Sequence, residues 1–77
     1  MKSKHVFQVI IEQDEAGNFV AECPALKACY TQGKTYEEVV RNIKDVIALC
    51  VEDLKGRRKR IPRQPDIIGV RRVEVLV

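Results

Sequence analysis

Apolar and polar residues alternate from His5 to Gln13: Phe7, Val9 and Ile11 fall on one side of an extended chain, and Gln8 and Glu12 on the other, where Val6 and Ile10 also sit. A period of two over this length predicts a strand. The next five residues, Asp14-Glu15-Ala16-Gly17-Asn18, are turn formers. Gly17 or Asn18 there supplies the positive φ of a tight, bulged hairpin. Phe19 to Cys23 is expected to return as an antiparallel second strand, ended by Pro24, which has no N–H to give to a ladder. After a short crossing through Ala25, Leu26 and Lys27, the partly β-branched stretch Ala28 to Gln32 reads as a third strand.

The period then lengthens. Val39, Ile43, Val46, Ile47, Cys50 and Leu54 recur at spacings of three and four and form one apolar stripe of an amphipathic helix, with Glu37, Arg41, Lys44, Asp45, Glu52 and Asp53 on the remaining surface. Thr35 followed by Glu38 has the spacing of a capping box and sets the start of that helix. Gly56 is expected to supply a left-handed stop. Residues 56–69, GRRKRIPRQPDIIG, contain Pro62 and Pro65 and read as a long connection, neither helix nor central strand. Val73, Val75 and Val77, alternating with Arg72, Glu74 and Leu76, predict a closing strand. These elements predict an α+β domain, residues 1–77, of order β-β-β-α-β, with one helix packed on an antiparallel-rich sheet.

A chain of 77 residues buries roughly 60% of the surface its unfolded form exposes, which argues against a deep, enclosed active site. Every apolar run is broken by charge well short of the roughly 18 residues a membrane helix requires, and Met1-Lys2-Ser3-Lys4-His5 leads into a run that reaches Glu12, unlike a signal peptide. Three cysteines without a close pair fit a reducing compartment, so a cytoplasmic location is expected. The net charge of +3 is unevenly placed. Residues 1–54 carry 6 Lys or Arg against 9 Asp or Glu, whereas residues 55–77 carry 8 against 2. The basic character therefore belongs to the C-terminal third.

Reactive chemistry finds few candidates. Cys23 and Cys29 are too far apart for the tight pair of a zinc site, Cys50 lies on the helical stripe, and the single histidine, His5, is near the start. Free cysteines of this kind are expected as small buried hydrophobes. Cys29, six residues before the helix cap, has no second catalytic partner. Glu12 and Glu22 are expected as neighbours on a solvated sheet face, while Asp14 and Glu15 belong to the turn. Gly17 and Gly33 are not part of any phosphate-binding glycine pattern. No enzyme activity, metal or cofactor is expected. Arg57, Arg58, Lys59 and Arg60, with Arg63 close by, are the one cluster suited to binding by charge. Such binding to nucleic acid or an acidic partner would be salt-sensitive and independent of sequence, and no aromatic residue is interleaved for stacking on bases.

The series Gly17-Asn18-Phe19-Val20-Ala21-Glu22-Cys23-Pro24, then Leu26, Cys29, Thr31-Gln32-Gly33, Thr35, Glu37-Glu38, Asn42-Ile43, Ile61-Pro62 and Pro65, resembles the HicB-like antitoxins of bacterial and archaeal toxin-antitoxin systems over residues 5–65. Where that pattern has a glycine before the cysteine, this chain has Ala28. The resemblance implies a partial ribonuclease-H-like fold without catalytic carboxylates, in which the segment around Cys23 and Cys29 is a structural joint. It also implies a protein that binds and masks a small mRNA-cleaving toxin. Many members add a C-terminal DNA-binding domain; here the chain stops at Val77, so a short form without that domain is expected. A small nucleic-acid-binding protein using residues 57–63, or an orphan oligomeric domain without a toxin, is the alternative.

One helix covers one face of a sheet, yet Val6 and Ile10 place apolar side chains on the other. A homodimer or higher homo-oligomer is therefore expected, using that face or an edge strand.

Overall fold

The computed structural model describes residues 4–64 and 66–77. Three antiparallel strands, β1 (Ile10–Gln13), β2 (Phe19–Glu22) and β3 (Tyr30–Gly33), form a sheet in the order β1-β2-β3, and one helix, α1 (Tyr36–Gly56), follows. The domain is α+β, as the residue pattern predicts. Pro65 and Met1 to Ser3, on which parts of the sequence reading rest, lie outside the described residues.

The β1–β2 hairpin is held by backbone bonds from Asp14 N–H to the Asn18 carbonyl (2.9 Å) and from Gly17 N–H to the Asp14 carbonyl (3.0 Å). The Asp14 carboxylate accepts from the N–H groups of Ala16 and Asn18. Gly17 takes the positive φ, +89°, that closes a three-residue loop with a bulge. Register pairs Ile10 with Glu22 and Gln13 with Phe19. The same register explains why β1 begins at Ile10 and not at His5. Continued one turn of the pleat outward, Gln8 would face Pro24, which offers no N–H, so the ladder stops.

Pro24 then starts a turn in which Leu26 N–H donates to the Cys23 carbonyl (3.1 Å). Ala28 closes this joint with φ +54°, the left-handed conformation that a glycine adopts at far lower cost. The turn delays β3, expected from Ala28, to Tyr30. Cys23 N–H still reaches the Cys29 carbonyl (2.9 Å), so the β2–β3 register carries on through the two cysteines.

Thr35 is the N-cap of α1, in extended conformation, and its hydroxyl accepts from Glu38 N–H (3.1 Å). Of the two bonds of a capping box, this forward one is made. The helix ends differently from expectation. Gly56 is its last residue, and the left-handed position is Arg58, φ +56°. Lys59 N–H returns to the Leu54 carbonyl (2.9 Å) and Arg58 N–H to the Lys55 carbonyl (3.0 Å), the two bonds of a Schellman motif with arginine where glycine is usual.

The helix packs on β2 and β3. Between them lie the buried Ala21, Cys23, Leu26, Cys29, Val39 and Ile43, flanked by Phe7, Val9, Ile11, Phe19, Val46, Ile47, Cys50, Val51 and Leu54. The predicted helical stripe and the Phe7, Val9, Ile11 face are all in this set; Val51 joins it as well. Gly33, buried at the end of β3, allows the helix its position: a Cβ there would stand 2.6 Å from the Val39 nitrogen and 2.9 Å from its Cα. Beside it, Phe19 meets Tyr36 edge to face, with ring centres 6.3 Å apart.

No fourth strand forms among the described residues. The segment after α1 returns alongside residues 5–8, tied by side chains: Gln8 N–H donates to Gln64 Oε1 (3.2 Å), and Ile67 N–H donates to Gln8 Oε1 (2.6 Å). Residues 68–77, which include the expected strand, are exposed and without a ladder partner. Alternation alone predicted a strand there, but a strand requires a neighbour, and this chain supplies none.

Gly33→Ala is expected to lower the unfolding free energy by about 3 kcal/mol in urea titrations, because the methyl group meets backbone and cannot be accommodated by a rotamer change. Gly56→Ala, in open space inside the helix, should be neutral or stabilising by up to about 1 kcal/mol. Ala28→Gly should stabilise by about 1 kcal/mol, since relief of the left-handed strain outweighs the added flexibility of the unfolded chain.

Candidate functional site

The basic segment begins at the C-terminus of α1, where exposed carbonyls and the helix dipole favour cations. Arg57 is the C-cap and its guanidinium pairs with Asp53 at 3.1 Å, both side chains being more than half exposed. Arg58 and Lys59 close the Schellman motif. Three of the five predicted contact residues thus finish the helix, and Arg60 and Arg63 follow on the exposed connection. The structure places all five on the surface but strung along the chain, with no aromatic side chain among them.

The three cysteines come together although the sequence spreads them over 28 positions. Cys23 and Cys29 are buried, Cys50 is half-buried, and all three are free thiols. Burial, then hydrogen bonding with Cys50 and its proximity, then the neighbouring Cys23, push the Cys29 thiol from its ordinary 9.0 up to about 12. That is the opposite of the activation a nucleophile needs. Among the described residues no group of three or more His, Cys, Asp or Glu side chains is arranged to hold a metal ion. The joint around Cys23 and Cys29 therefore packs as core.

The face of the sheet turned away from α1 is assembled by register. Ile10, Glu22 and Tyr30 stand in one row across the three strands, and Glu12, Val20 and Gln32 in the next. Glu12 and Glu22 are thus diagonal neighbours, not opposed partners. Ile10 and Val20 are half-buried, while Tyr30 is 65% exposed. No Lys or Arg occurs on these strands, so the face mixes apolar and acidic side chains, with Glu22 on the central strand and Glu12 on the β1 edge. Of the residues expected to form an oligomer surface, Ile10 belongs to this face, whereas Val6 lies before β1 and is 95% exposed. Val20 and Tyr30 were missed by the sequence reading. Strand alternation marks them only once the register is known.

A three-stranded antiparallel sheet carrying one helix, with an acidic and apolar open face and a cluster of three free cysteines in and beside the core, defines a small α+β domain. The chain is 41% identical over 73 residues to UPF0150 protein ssr1258 of Synechocystis sp., covering 95% of this chain and 99% of that protein. It is 47% identical over 57 residues to UPF0150 protein Ta0767 of Thermoplasma acidophilum, covering 74% and 83%. A UPF0150 protein of Archaeoglobus fulgidus is 36% identical over 69 residues, covering 90% and 93%. The chain belongs to the UPF0150 family. No family model matches it. No helix among the described residues is long and apolar enough to cross a membrane.

The Cys29 environment predicts its reactivity. In native protein at pH 8 the Cys29 thiol should resist iodoacetamide and react only after unfolding, as followed by mass spectrometry. Because the folded thiol keeps its proton up to about 12 while the unfolded one releases it near 9.0, stability should decline as pH rises between those values. Cys29→Ala should flatten that decline.

Proposed function

We propose that this chain is a HicB-like, antitoxin-type interaction module that binds and masks a small mRNA-cleaving toxin, without catalysis of its own. The observation that carries this reading is the open sheet face, where Ile10, Val20 and Tyr30 are interspersed with Glu12 and Glu22 and the strands themselves carry no Lys or Arg. A protein that cleaves RNA must present cationic surface to phosphates. An apolar surface interspersed with carboxylates is complementary to it in both charge and packing. Steered encounter and coverage of the RNA-binding surface follow from the same contact. Three free thiols fit a cytoplasmic setting for such a pair. The partial ribonuclease-H-like relationship belongs to this reading and rests on the sequence resemblance.

Nucleic-acid contact by residues 57–63 has weaker support, because the Arg57 guanidinium is paired with Asp53 and the five cations are strung along the chain without an aromatic side chain among them. The two readings separate in one experiment. Tagged full-length chain, recovered from its native lysate through a high-salt wash, is expected to retain a small basic ribonuclease. Glu12→Lys with Glu22→Lys should release it while helix content by circular dichroism stays unchanged. Recovery of nucleic acid alone, and only at low salt, would overturn the antitoxin reading.

A further inference from the structure

The C-terminal tail carries a row of apolar residues with nothing to cover it, and the helix side of the sheet has a slot with nothing to fill it. Ile68, Val70, Val73, Val75, Leu76 and Val77 are each at least two-thirds exposed. The radius of gyration is 14.8 Å, against about 12 Å for a compact chain of this length, as expected if the tail stands off the body. The slot lies on the helix side of β1. Because α1 packs on β2 and β3, a mainly apolar groove remains beside the run that leads into β1, lined by Phe7, Val9, Val40, Ile43 and Ile47, with His5 and Lys44 at its border.

The backbone at this edge is also unpaired. Asp14 and Asn18 form a hydrogen-bonded pair, and alternation from it along the hairpin turns the N–H and C=O groups of Ile11 and Gln13 away from β2. At the opposite edge, the same count from Cys23 and Cys29 turns those of Gln32 outward, and there Asn42 Nδ2 already donates to the Gln32 carbonyl (2.9 Å). The β1 edge is the better acceptor of a strand.

We infer that residues 72–77 of a second copy of this chain add to the β1 edge, and that the two copies exchange these segments reciprocally in a twofold dimer. With Val73, Val75 and Val77 turned into the groove, alternation puts Arg72 and Glu74 on the open-face side. Arg72 then comes beside Glu12, an opposite-charge neighbour at the strand border. Main-chain bonds supply affinity and the valine row supplies register, as in other strand-addition contacts. A second copy is favoured over the chain's own tail because Ile67 is anchored at Gln8 and the tail beyond it is exposed and leaves its own groove open.

The test uses the intact chain. Light scattering at about 50 μM, well above the range expected for a stable dimer, should give a dimer. Val73→Lys with Val75→Lys should weaken association by about 100-fold or more, since each ammonium group would enter a mainly apolar groove that already holds Lys44, while helix content is retained. In a mixture of isotope-labelled and unlabelled copies, intermolecular NOEs should connect the valine methyls to Phe7 and Ile47. A monomer, a dimer unaffected by the double substitution, or valine NOEs found only within one copy would each overturn the inference.

Discussion

The approach of α1 to the end of β3 at Gly33 is the constraint from which the rest of the arrangement follows. With hydrogen in place of a methyl group, the Val39 backbone settles directly over the strand, and everything further along the helix inherits that height. Ile43 comes down beside Val39 in the buried set, and Asn42 reaches the Gln32 carbonyl. Phe19, paired across from Gly33, fills the flank against Tyr36. A helix held this close needs small side chains beneath it, and Ala21, Cys23 and Cys29 provide them.

This need for small residues accounts for the cysteines better than chemistry does. Thiols are compact, weakly polar and tolerant of one another in a dry interior. Cys29 is held between Cys50 and Cys23 by a joint that places Ala28 in a conformation costly for any residue with a Cβ. The packing of Cys29 and Leu26 sustains that strain, as tertiary contacts do where local preference disagrees. The joint resembles a reactive motif in sequence because both call for cysteine, proline and a following helix. It differs in the electrostatics, which here favour the neutral thiol.

Elements governed by local periodicity were legible in the sequence. The amphipathic stripe from Val39 to Leu54, the Thr35 cap and the Gly17 turn need only neighbours within a few positions. What depended on distant partners was not. The start of β1 is decided by Pro24 in the opposing strand, and the helix stop passed from Gly56 to Arg58 because the Schellman bonds formed two residues later. Val73 to Val77 has a strand's alternation without a strand's neighbour, a matter of topology that no local pattern encodes. The same holds for the open face. Glu12 and Glu22 were recognised as a pair, but only the register seats Tyr30 and Val20 among them.

The side-chain amide of Asn42 gives the sheet two unlike borders. A sheet whose borders both offer free peptide groups can lengthen without limit, and such growth is the route to fibrils. Here one border has an outward carbonyl already engaged by the helix that covers the sheet. Lateral growth from that side is disfavoured even at high concentration, which leaves the β1 border as the more open of the two.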